Sequence, residues 1–116
     1  MSHTASVQVH FRDREALADA CRELGFPLEH GSATFYDQQT YSGDLIHLPG
    51  WQYPIVVETP ETVRMDHYEG RWGDIAHFYR LKHNYAAHAS IRAVERTGRR
   101  VLQRIEQNGH VQLVVQ

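Results

Sequence analysis

Nine histidines and a single cysteine in 116 residues are the first places to look for chemistry. A zinc site on a helix needs imidazoles three or four residues apart, so that they converge on one ion. His77, His83 and His88 stand six and five residues apart, which spreads them around a helix. His3 and His10 have no partner at helical spacing, and Cys21 has no second cysteine beside it. Neither a metal nor a cofactor is expected. Cys21 recurs with Leu17, Ala20 and Leu24 on one apolar stripe, where a buried thiol acts as a small hydrophobe with a raised pKa. No Gly-x-Ser-x-Gly elbow, phosphate-cradling glycine loop or dinucleotide fingerprint is present. No catalytic residue is assigned. An enzymatic reading would require His88 to meet a carboxylate in a cleft.

Charge and aromatic residues carry more information. Arg92, Arg96, Arg99, Arg100 and Arg104 cluster late in the chain. Arg92 and Arg96, one helical turn apart, can act together on a phosphate or carboxylate. Residues 1–70 hold four Arg and eleven acids, whereas residues 71–116 hold eight Lys or Arg and three acids. That asymmetry fits an anionic partner for the basic half. The plainer reading is that the halves face each other, or that the basic groups complement a helix C-terminus. An overall pI near 6.5 argues against a general nucleic-acid binder. Tyr36, Tyr41, Trp51, Tyr53, Tyr68, Trp72, Phe78, Tyr79 and Tyr85 fall within fifty residues. Most such rings belong in a sheet–helix core. Trp51 beside Pro49-Gly50, and Trp72 beside Arg71, stand out as candidates for a binding face.

The elements that must position these groups follow from periodicity. Ser6 to Phe11 alternates, with Val7, Val9 and Phe11 on one side, as a half-buried strand does. Asp13 offers an N-cap for the helix carrying the Leu17–Leu24 stripe, and Gly25 followed by Pro27 ends it. Strands are expected at Ala33–Tyr36, Asp44–Leu48, Pro54–Glu58 and Thr62–His67. Turns at Asp37–Gln39, Ser42-Gly43, Pro49-Gly50 and Thr59–Glu61 separate them and imply antiparallel pairing. Gly70 to Gly73 reads as a turn, and Asp74 caps a second helix running to about Thr97 with Gly98 beyond. On that helix Ile75, Phe78, Tyr85 and Ala89 share one face, and Ala87, Ile91 and Val94 share another. Burial on two sides is expected, the alternative being a break near Asn84. Asn108-Gly109 between Val101–Gln107 and His110–Val115 predicts a two-residue type I′ hairpin.

The fold expected is α+β: a mostly antiparallel sheet packed on two helices, ordered β-α-β-β-β-β-α-β-β, in a single domain spanning residues 1–116. Length and 41% hydrophobic content suit such a core. The N-terminus has neither a basic start nor an apolar core, so no signal peptide is expected. No apolar run approaches the roughly 20 residues of a membrane span. With a lone cysteine, a cytoplasmic setting is expected.

These motifs resemble the uncharacterised family of hypothetical chloroplast open reading frame 35, also called domain of unknown function 1257. The opening Met1-Ser-His, the Arg12-Asp-Arg-Glu-Ala-Leu17 lead into the first helix and the Leu24-Gly25 exit are similar to that family's start. Arg71-Trp-Gly73 resembles its Trp-Trp-Gly element, with Arg71 in place of the first Trp. Tyr85-Ala-x-His88 resembles its Tyr-Ala-Tyr-His helix motif, with Ala87 in place of the second Tyr. Gly98 and Gly109-x-x-x-Leu113-Val114-Val115 also match. The resemblance supplies no activity. It implies company with AAA-type ATPases, and hence an adaptor role.

The function expected first is therefore a non-catalytic binding or adaptor module, presenting Arg71, Trp72, Tyr85 and His88 to a protein partner. A binder of nucleic acid or a phosphate ligand through the Arg92–Arg104 patch is the second reading. A small enzyme with a site near His88 is the third. The exposed hairpin edge also offers a pairing surface to a second copy.

Overall fold

The computed structural model describes residues 4–108 and 110–116. Met1 to His3 and Gly109, which carry part of the family resemblance and half of the Asn-Gly turn, lie outside the described residues. The chain runs β1 (Ala5–Gln8), α1 (Arg14–Leu24), β2 (Leu28–Thr34), β3 (Thr40–Ile46), β4 (Ile55–Thr59), β5 (Thr62–Met65), α2 (Ile75–Glu95), β6 (Val101–Gln107) and β7 (His110–Val115). A 3-10 turn at Tyr68–Gly70 precedes α2. This is the expected α+β order. The strands form two sheets, though: five antiparallel strands ordered β1-β5-β4-β3-β2, and β6-β7 apart from them.

Local signals in the sequence account for the helices. The Asp13 carboxylate accepts the Ala16 N–H and caps α1, and Gly25 ends it at φ 75°. Asp74 caps α2 by accepting the Ala76 N–H. Helix α2 continues unbroken through Asn84 and is buried on two sides. Phe78, Leu81 and Tyr85 join α1 and the sheet in the main core, with Leu17, Ile46 and Val63. Ala87, also buried, faces Val111 and Leu113 of the hairpin. Because the hairpin lies beyond α2 and not in the sheet, the molecule is elongated. It measures 52 × 26 × 22 Å.

The sheet's second face has its own small core of Phe35, Leu45 and Val56, roofed by Ala33, Tyr41 and Tyr53. Phe35 comes from the tip of the β2–β3 ribbon, yet its ring lies 5.7 Å from Tyr53, which precedes β4 at the other end of the strands. The ribbon tip and the β3–β4 loop therefore fold toward each other over this face.

Two expectations need correction here. The strand placed at Ala33–Tyr36 begins earlier, at Leu28, and stops at Thr34, because Tyr36 belongs to the turn in which Phe35 N–H donates to Gln39 O. Ser42-Gly43 is no turn but the middle of β3, where Gly43 pairs with Gly31.

Candidate functional site

The aromatic residues converge at one place. Trp72 is ringed by Tyr68 at 4.6 Å, Tyr36 at 5.2 Å and Tyr53 at 5.8 Å between centroids. The Arg71 guanidinium stands 4.8 Å from the Tyr68 ring and donates to its hydroxyl. Beside this group, Arg64 covers Tyr41 at 5.1 Å while bonding Glu58. Backbone bonds hold the supporting loops: Gln52 N–H donates to Trp72 O, and Trp72 N–H to His67 O. Trp51 is structural. Its indole N–H donates to the Asp74 carbonyl, and its ring lies so close to Gly73 that a Cβ there would fall 2.3 Å from it. Tyr36, by contrast, is 54% exposed. The result is an aromatic end with a guanidinium on its rim, a composition typical of protein-contact surfaces.

The four residues expected to form one site are not brought together. Arg71 and Trp72 belong to this aromatic end. Tyr85 is buried, stacked edge-on against Phe11 at 4.9 Å, and its hydroxyl accepts the Asp13 N–H. His88 lies thirteen residues into α2, about 20 Å along the axis from its start, where it meets Glu23 at 3.3 Å. Tyr36, Tyr53 and Tyr68 complete the site instead. Periodicity could not reveal this, because the three reach Trp72 from separate loops.

His88 does meet a carboxylate, but inside an ion-pair hub and not in a cleft. Arg104 of β6 bonds Glu23 of α1, Asn84 of α2 and Glu106 on its own strand. Burial works against the Arg104 charge, yet Glu106 and Glu23 outweigh it and raise its pKa. Arg104 holds Glu106 below the usual carboxylate range, against the opposing effect of burial and with help from His83. The hub docks the hairpin on the helix pair. Arg104→Met should lower stability by about 1–2 kcal/mol, after discounting for the half-exposed acids. Amide hydrogen exchange should accelerate in β6 and β7 and leave β4 and β5 unchanged.

The basic cluster is also spoken for. Arg92 and Arg96 both bond the Asp13 carboxylate at 2.9 Å, and Arg92 pairs with Glu15 as well. Arg99 and Arg100 are exposed and bond Gln116. The acidic and basic halves thus face each other, the plainer of the two charge readings. Cys21 is buried, its thiol pushed up to about 11 by burial and then by Asp44. Among the described residues no group of three His, Cys, Asp or Glu side chains could hold a metal ion. No helix there is long and apolar enough to cross a membrane.

Comparison with models of known protein families, with curated proteins and with solved structures finds no match. The likeness to the open-reading-frame-35 family thus rests on the short motifs alone.

Proposed function

We propose that this chain is a non-catalytic binding module that docks a protein partner on the aromatic end formed by Tyr36, Tyr53, Tyr68 and Trp72. The observation that carries this reading is the gathering of three rings, Tyr36, Tyr53 and Tyr68, from three separate loops around Trp72. Rings on a pre-shaped scaffold give contact area with little ordering entropy on binding. Arg71 adds a donor fork on the rim. An AAA-type ATPase is the partner class the motif resemblance suggests, and a cytoplasmic setting accords with the single buried cysteine.

The nucleic-acid alternative draws on Arg99 and Arg100 alone, because Asp13 engages Arg92 and Arg96. An enzymatic reading at His88 finds its imidazole packed against Glu23, which Arg104 also occupies.

The test is affinity isolation of the full chain from a native extract, with and without nucleotide, and identification of what co-purifies. Tyr36→Ala combined with Arg71→Glu should leave the thermal midpoint unchanged and weaken capture at least tenfold, as loss of an aromatic anchor does. Recovery of nothing above background in either condition, or capture indifferent to both substitutions, would remove the support for this reading.

A further inference from the structure

We infer that a second copy of this chain pairs with the free edge of β7, giving a weak two-fold dimer. A two-stranded sheet is marginal by itself and gains from a third strand. Strand β6 carries Arg104 and Glu106, and a register shift near Leu102 disrupts its pairing. Strand β7, His110-Val-Gln-Leu-Val-Val115, contains no Asp, Glu, Lys, Arg or Pro. Edges of that kind, without a charge or a proline to guard them, are templates for strand addition.

The occupant follows from self-complementarity. An antiparallel pair centred on Leu113 sets Leu113 against its own copy and Val111 against Val115 on the face toward α2. Gln112 meets Val114 on the other face. Two neutral strands meet without like-charge repulsion. The geometry of α2 agrees. The helix touches both hairpin strands, and a groove of about 330 Å³ opens between it and β7, its helix wall formed by His83, Ala86, Ala87 and Ser90. With strands about 4.8 Å apart, a helix over each hairpin's midline would lie about 10 Å from its mate, near the packing distance of two helices. Ala86, Ala87 and Ser90 keep most of the helix wall small enough for that approach, while His83 is turned to Glu106 of its own hairpin. The pairing would also cover Val114, one of the exposed large apolar residues. Roughly ten residues a side is small against the 20–30 of a standard interface, so dissociation in the micromolar range is expected.

Sedimentation of the full chain over a dilution series tests this directly. The mass should move from one chain to two as concentration rises into the high micromolar range. Gln112→Lys with Val114→Lys places like charges opposite each other across the two-fold, as does Gln112→Glu with Val114→Glu. Both positions are exposed, so each variant should keep its helical circular dichroism and sediment as one chain. An equimolar mixture of the two should dimerise again, at least tenfold more tightly than either alone. A single-chain mass at every concentration overturns the inference. So does a dimer insensitive to the charges, or a mixture that fails to restore it.

Discussion

Gly43→Ala is expected to destabilise the fold by about 3–5 kcal/mol, in the range of the most damaging single substitutions. The thermal midpoint should fall by roughly 15 °C. A Cβ at Gly43 would sit 2.2 Å from the Val57 carbonyl oxygen and 2.9 Å from its carbon. Both are backbone atoms, so no rotamer change relieves the clash, and the β3–β4 ladder would have to part. Gly31 provides the internal control. It pairs with Gly43 across β2 and β3, but a Cβ there meets only the Leu45 side chain, at an ordinary 3.6 Å. Gly31→Ala should therefore lie within about 0.5 kcal/mol of the parent chain, with a small entropic gain offsetting any crowding. Equal midpoints for the two variants in urea would show that the close approach of β4 to Gly43 does not exist.

Asp13→Ala should lower stability by about 2–3 kcal/mol, because one carboxylate serves two structural roles. It caps α1 through the Ala16 N–H, and it receives Arg92 from the last turn of α2 and Arg96 from its C-cap. Its side chain is 13% exposed. Asp13→Asn keeps a capping oxygen and should cost less. The pH dependence separates the two roles. Burial pushes the Asp13 pKa up, but the Ala16 N–H and the Arg92 and Arg96 charges more than offset it, so the net shift is downward. A carboxyl depressed in the folded state contributes stability that is complete above its unfolded value, about 3.9. That stability disappears as pH falls through the folded value. Asp44 behaves likewise, lowered chiefly by its bond to Arg14. The parent chain should therefore lose stability on acidification below about pH 4 more steeply than Asp13→Asn. Parallel acid-unfolding curves would contradict this account of the charge pairing.

What could be read in the sequence was the local grammar. Asp13, Gly25 and Asp74 bound the helices where capping chemistry places them, whereas α2 stops at Glu95 with Arg96 as its C-cap, two residues short of Gly98; Gln107 pairs with His110 across the Asn108 turn. Asn108 adopts φ 51°, as the type I′ expectation requires of that residue. The phase change along α2 correctly indicated two partners. What could not be read depends on approaches between distant segments. Gly43 looked like a turn former because glycine in a strand gives the same signal as glycine in a loop. Its reason is the Val57 backbone, where β4 shifts register between Val57 and Thr59. Tyr85 and His88, expected to form one binding region with Trp72, go to the interior and to the Arg104 hub. The arginine cluster was visible as composition. Its pairing with Asp13, some eighty residues away, was not.

The central claim is that a protein partner docks at the aromatic end while the arginines near the α2 terminus hold the fold together. A photo-cross-linking side chain placed at Tyr36, and separately at Arg99, in the full chain inside cells tests it most directly. The account predicts a discrete protein adduct from position 36, with a mass distinct from a second copy of this chain, and none from position 99 other than a second copy. Nucleic-acid adducts from position 99, with position 36 silent, would contradict it.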